Sequence, residues 1–406
     1  MNCPVWITGR AQISAMGRDV VEFTSRIKNP ISLAQSRLVE LPGLDPAMVA
    51  LYACDDLPIE QTGPSKLPLD RSTALALHVV GDLLKNVPGP LHLNPNRLGL
   101  FWGSGMAGAY SLDLATRSLY ADQRRIRPST VITAMPNAPA AELGLLLGAR
   151  GPCITYATAC ASSAVAIGEA MLAIQTGRVD IAIVGGSESM LSPGILASWH
   201  ALRVLASTDQ GAATACRPFD QERTGFALGE GAAAFVLESA EHAKAMGRYP
   251  LARLSGYATN SDSHHITNPD SAGQTLAMQT ALHHAQLKPS DIAYVNAHGT
   301  ATRAGDLAEA HSIANVFGSH AVPVSSSKSL HGHLLGAGGA VELNVALDVL
   351  LHGWAPHTVN LSRADPLMHL DLVTGSPRLL DQVAHVMSNS FAFGGTNAVL
   401  IASQTD

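Results

Sequence analysis

Cys160 lies in "TYATACASSAVAIGEAML", where strand-like residues give way to small and apolar ones at helical spacing. A thiol there meets the free N–H groups and positive end of a helix, both of which favour a thiolate. The alanine and serine neighbours leave room for a substrate carbonyl. Taken alone, the stretch fits a packed core cysteine as well, since free cysteines are among the most buried residues. Cys153, in "GPCITYAT", reads as such a core cysteine. "YVNAHGTATRAGDLAEA" sets His298 between an apolar strand and a glycine-containing turn, the kind of loop on which α/β proteins carry reactive groups. "VSSSKSLHGHLLGAGGAVE" places Lys328, His331 and His333 in another strand-to-turn-to-helix passage. His331 and His333 form an HxH pair that could ligate a metal, but no third ligand accompanies them at metal-site spacing. "NSFAFGGTNAVL" offers Phe393, Gly394, Gly395 and Thr396. Its glycines either let backbone N–H groups approach an oxyanion or make a tight turn between core strands.

The elements that must position these residues follow from the pattern around them. Short apolar, β-branched runs such as "RLGLFWGS", "DIAIVGGS", "AAAFVLE" and "IAYVNAHG" alternate with helical patterns such as "DRSTALALHVVGDLLKNV" and "GAVELNVALDVLLHG". That alternation predicts an α/β protein with largely buried sheets. The 406 residues exceed the size at which one core usually stops growing, so two domains or one large two-part assembly are expected. Each half has a glycine- or serine-rich turn leading into an apolar helix, and "AEHAKAMGRYPL" is the expected boundary between them. With 47% hydrophobic and 14% charged residues the chain can fill a large core, and a net charge of −6 without a basic run argues against nucleic-acid binding. Five scattered cysteines without CxxC spacing argue against a disulfide framework. The N-terminal segment reads as no leader, and no window is apolar for 18 residues, so a cytoplasmic protein is expected, with no membrane partner.

In order along the chain, "TACASS", "NAHGTAT", "SSSKSLHGHLLGAGGA" and "NSFAFGGTNA" resemble the β-ketoacyl-acyl-carrier-protein synthases of the thiolase superfamily, specifically the elongating type II kind with a Cys-His-His site. The likeness extends to "MPNAPAAELGLLLGARGP", "RPFDQERTGFALGEGAAAFVLE" and "NSDSHHITNPD", and is close over residues 98–402. It implies a thiolase-like fold in which two pseudo-duplicated halves, 1–250 with the nucleophile and 251–406 with the histidines, form five αβαβα layers. It implies that Cys160 takes an acyl group from an acyl carrier protein and condenses it with a malonyl unit after decarboxylation. His298 and His333 would stabilise the enolate, and the N–H groups of Cys160 and Phe393 would form the oxyanion hole. Lys328 and Glu309 would be the pair that orients the histidines. Phe393 would also gate the site and Met106 limit acyl depth. Thr300 and Thr302 would contact the pantetheine arm, with Gly394 and Gly395 beside the substrate. Lys66, Arg71 and Arg203 are candidate contacts for the acidic carrier protein. No cofactor or metal is implied, since the substrates ride on the carrier's phosphopantetheine.

The resemblance also implies a homodimer, or a heterodimer with a chain-length-factor homologue. A biosynthetic thiolase would carry a second cysteine near the C-terminus, and none follows Cys216. An initiating synthase would have asparagine where His333 stands. The intact Cys160 argues against a non-condensing chain-length factor. The segment "SRIKNPISLAQS" is short for the family, and Trp199 is bulky for its place, so both could reshape the acyl pocket.

Overall fold

The computed structural model describes residues 3–40, 46–54, 61–92 and 94–405. Its main sheet is one hydrogen-bonded array of eleven strands. In chain order these are β1 (Val5–Ser14), β2 (Leu98–Gly103), β3 (Cys153–Tyr156), β4 (Ile181–Glu188), β5 (Gly231–Ser239), β6 (Ala252–Ser261), β7 (Tyr294–Asn296), β8 (Pro323–Ser325), β9 (Asp371–Leu372), β10 (His385–Phe391) and β11 (Thr396–Ser403). Reading outward from the centre, β1 pairs antiparallel with β5 and β5 with β4, whereas β4–β2 and β2–β3 are parallel. The other side repeats that sequence of pairings: β6–β11 and β11–β10 antiparallel, β10–β7 and β7–β8 parallel. The two series join where β1 meets β6 antiparallel.

Five helices set the layers: α1 (Arg71–Asn86), α2 (Ser162–Gln175), α3 (Ser271–Ala285), α4 (Arg303–Phe317) and α5 (Gly338–His352). α2 and α5 are apolar nearly all round, as central helices must be. Each packs on the strands of both series, and they pack on each other. α1 covers the outer face of the first series, and α3 and α4 cover that of the second. The side-chain period of two makes this sandwich legible within single strands. Ile181 and Ile183 of β4 join the outer core with α1, while Ala182 and Val184 join the central one. In β11, Val399 and Ile401 face α3, while Ala398, Leu400 and Ala402 face α2 and α5. Layers of helix, sheet, helix, sheet and helix therefore follow from strands buried on both faces. Among the described residues one segment, Leu335–His352, is long and apolar enough to cross a membrane, but 89% of it is buried as the central helix.

Candidate functional site

The turn after β3 delivers Cys160. Ala159–Ala161 form a 3₁₀ turn immediately before α2, and Ala159 holds a left-handed φ of 49°. A non-glycine residue there costs on the order of 1–2 kcal/mol, a strain that persists only where surrounding packing enforces it. Cys160 is buried in a cluster with Leu335, Phe226 and Met190. Burial pushes the thiol up to about 12, against the pull of the Lys328 ammonium and of the backbone N–H groups of Phe393 and of Cys160 itself. Both N–H groups favour negative charge at the sulfur.

Cys160 Sγ and one ring nitrogen each of His298 and His333 lie within 4.8 Å of one another. His333 Nε2 is 3.1 Å from the sulfur, and the two imidazoles meet edge to face at 5.3 Å. The tautomers follow from the neighbours. Lys328 Nζ, a pure donor, stands 3.3 Å from His298 Nδ1, and the Leu335 N–H faces His333 Nδ1 at 3.4 Å. Both rings therefore carry their proton on Nε2. Burial, then Lys328, then the neighbouring histidine (His333 for one, His331 for the other) hold both well below the ordinary histidine range. The cleft thus presents two neutral N–H donors beside a thiol, in a cavity of about 240 Å³.

Behind the donors lies a buried scaffold of charge. Lys328 forms an ion pair with Glu342 of α5, and both side chains are almost wholly buried. Burial raises the Glu342 carboxyl to about 7 although the ammonium beside it pulls the other way. Glu309 of α4 is not the partner of Lys328, but it does hold one of the histidines. Its carboxylate accepts the N–H groups of His298 (2.8 Å) and Gly299 (2.7 Å), with Asn389 Nδ2 at 3.3 Å. Burial raises it to about 7, opposed by those bonds. Glu309 fixes the His298 backbone, and Glu342 is the partner of Lys328. Sequence reasoning missed Glu342, whose signal was a lone carboxylate inside the apolar run "GAVELNVAL".

The remaining candidates divide. Thr300, Thr302 and Gly395 line the cleft with Cys160, and the two threonine hydroxyls lie 2.9 Å apart. Phe393 lines it too and stacks on Trp199 at 6.4 Å. Trp199 meets Phe226 edge-on, and Phe226 meets His333, an aromatic chain from the turn to the site that the sequence did not announce. Gly394 is exposed outside that lining and donates its N–H to the Ile266 carbonyl. Met106 is also outside the lining; its N–H faces the buried Glu188 carboxylate while its residue is 42% exposed. Lys66 and Arg203 are exposed. Arg71 is not free for a carrier protein: its guanidinium clasps Glu230 through two nitrogens and also reaches the Cys54 carbonyl. The HxH pair is split, since His331 faces Ser327 and Gly332 rather than the cleft.

Known proteins share both the sequence and the fold of this chain. The model of the β-ketoacyl synthase N-terminal domain matches residues 53–243, and that of the C-terminal domain matches 251–362. The chain is 36% identical to Nodulation protein E of Rhizobium leguminosarum bv. trifolii over the whole of both chains. It is 40% identical to 3-oxoacyl-[acyl-carrier-protein] synthase 2 of Staphylococcus aureus over 82% of this chain and 84% of that one. Among solved structures, a ketosynthase bound to a hexaketide, in complex with its type II polyketide acyl-carrier protein, superposes with a TM-score of 0.91 at 25% identity over all of both chains. A ketosynthase in complex with its chain length factor, from Xenorhabdus doucetiae, superposes at 0.86 with 27% identity over 99% of this chain and 98% of that one. With both domain models matched along most of its length and relatives at 36% and 40% identity, this chain belongs to the β-ketoacyl synthase family, the condensing acyltransferases of fatty-acid and polyketide elongation.

Proposed function

We propose that Cys160 carries the acyl chain and that His298 and His333 serve the malonyl partner. The convergence of the Cys160 sulfur with two neutral Nε2–H donors supports this reading most directly. The Cys160 thiol attacks the acyl thioester, its proton passes to the departing pantetheine sulfur as the C–S bond breaks, and an acyl-Cys160 thioester and free pantetheine thiol result. Malonyl thioester then enters with its carbonyl oxygen against the two Nε2–H groups. The carboxylate's C–C bond breaks, CO₂ leaves, and the electron pair forms an enolate whose negative oxygen the two donors stabilise. The enolate carbon attacks the acyl carbonyl, whose oxyanion accepts the N–H groups of Cys160 and Phe393. Collapse expels the Cys160 thiolate and frees the β-ketoacyl product on its carrier.

Donors prearranged in a dry site are worth about 3–4 kcal/mol each in the transition state. Because burial and Lys328 keep the histidines neutral, they donate hydrogen bonds without being consumed as acids. The carrier supplies both substrates on phosphopantetheine, with Thr300 and Thr302 beside the arm and Lys66 and Arg203 as contacts at the surface.

The proposed partner subunit is a second ketosynthase-fold chain. β3 ends the sheet with one edge open, and Leu145, Leu146, Val131 and Ile132 stand exposed on elements of that half. The likeness to a ketosynthase solved with a chain length factor supports a heterodimer as the second reading. Residues 1–250 and 251–406 are the two halves in this reading, and cysteines that form no disulfide support a reducing, cytoplasmic setting. The deciding experiment is mass spectrometry of Cys160 after exposure to a panel of acyl-loaded carrier proteins. A mass gain on the Cys160 peptide is expected, and a chain that no carrier acylates is not the condensing subunit.

A further inference from the structure

His331 is fully buried beside the site and has no part in the reaction as written above. Its ring spans the turn between the two groups that matter most there. Nδ1 lies 2.7 Å from the carbonyl of Gly332, the residue before His333. Nε2 lies 2.9 Å from the hydroxyl of Ser327, the residue before Lys328. A carbonyl only accepts, so Nδ1 carries the proton and Nε2 accepts from Ser327. Burial and the Lys328 charge push the ring down to about 3, with the Gly332 carbonyl opposing, so it stays neutral throughout the working range.

The turn it braces is tight and has backbone supports of its own. Gly332 sits at φ 74°, a conformation reserved for glycine, and a Cβ there would press on the Tyr52 ring at 2.6 Å. The Gly332 N–H reaches back to the Lys328 carbonyl at 2.8 Å, and the His333 N–H is held by the Ala227 carbonyl at 2.7 Å. The imidazole closes the frame by tying the ends of the turn to one rigid ring.

We infer that His331 is a positioning residue: a neutral strut between Ser327 and Gly332 that fixes where Lys328 and His333 stand relative to each other. This rests on the roles proposed for His333 and Lys328. An apolar side chain of similar size would leave the buried Gly332 carbonyl without its ring donor and loosen His333, while Cys160, on the far turn, keeps its own support.

The test compares His331→Leu, His331→Asn and His331→Gln in the full chain, reading malonyl-carrier decarboxylation separately from Cys160 acylation. His331→Leu is expected to lower the kcat of decarboxylation roughly tenfold, the worth of one lost buried hydrogen bond, with KM and acylation within about twofold. Asparagine places an N–H near the Nδ1 position and is expected to restore most of the loss. Glutamine mimics Nε2 instead and is expected to restore less. If leucine prevents folding, the order of asparagine over glutamine still decides. Equal rates in those two, a parallel fall of both half-reactions, or a folded leucine variant with unchanged kcat overturns the strut. Wild-type protein that is never acylated overturns the preceding reading instead.

Discussion

The two halves lead from strand to central helix by corresponding routes, and the routes differ in length. In the first half only residues 157–161 separate β3 from α2; in the second, residues 326–337 separate β8 from α5. Both end in a 3₁₀ turn that opens on a non-glycine residue in left-handed conformation, Ala159 at 49° and Leu335 at 45°. The next residue is Cys160 in one half and Gly336 in the other. The short turn has room for a single reactive atom, set in apolar surroundings at a helix start. The long one inserts a helical turn, Lys328–His331, and with it an ammonium and two imidazoles. In the proposed reading the short turn carries the nucleophile, and the long one carries His333 with Lys328 and His331 beside it, while His298 comes from the turn after β7. At Gly336 itself no side chain fits, because a Cβ would overlap the backbone nitrogen of Gly105.

Substitutions can break that division of labour. The largest effect is expected from Cys160→Ala, which removes acylation and hence condensation completely while leaving malonyl decarboxylation measurable. Condensation at the wild-type rate would place the nucleophile elsewhere. His333→Ala should cut decarboxylation by on the order of 100- to 1,000-fold, the worth of one aimed donor, with acyl transfer to Cys160 still detectable by mass spectrometry. The reverse pattern would exchange the roles of the two turns.

Lys328→Met leaves Glu342 buried without its cation, and breaking such a pair costs about 3–5 kcal/mol. Glu342 already titrates near 7 when folded, above its ordinary 4.5, and losing Lys328 moves it further up. The folded state then binds the proton more tightly than the unfolded one, so stability falls as pH rises from 4.5 through the folded value. Urea unfolding of the variant should therefore show a larger deficit at pH 8 than at pH 5.5; a deficit independent of pH would remove Glu342 from the account. The smallest effect belongs to Gly336→Ala, which overfills the point where the turns meet and should cost about 1–3 kcal/mol by the same measurement. An unperturbed variant would show that this turn yields where its counterpart does not.

The sequence brought out the three residues that meet in the cleft because each sits in a contiguous motif: Cys160, His298 and His333 are flanked by the turns that hold them. The alternation of runs also read the layers, since strands buried on both faces are apolar throughout. What it did not state depends on contacts between distant segments. Nothing local says that Lys328 chooses Glu342 over Glu309, because both carboxylates are nearby in chain and the choice is made by how α4 and α5 pack. Arg71 looked like a surface cation at the start of a helix, and only the fold brings the buried Glu230 against it. Likewise, "FAFGGTN" left open whether its glycines served a ligand or a turn. It joins β10 to β11 and also lines the cleft through Phe393 and Gly395.

The junction of β1 with β6, with each central helix resting on both strand series, bears on how the chain comes apart. Neither half can leave without stripping the apolar covering from α2 or α5, so there is no seam along which partial opening is inexpensive. Separately synthesised halves would each expose a helix built to be surrounded, and the intact chain is expected to melt as one cooperative unit, its reactive turns lost together with its core.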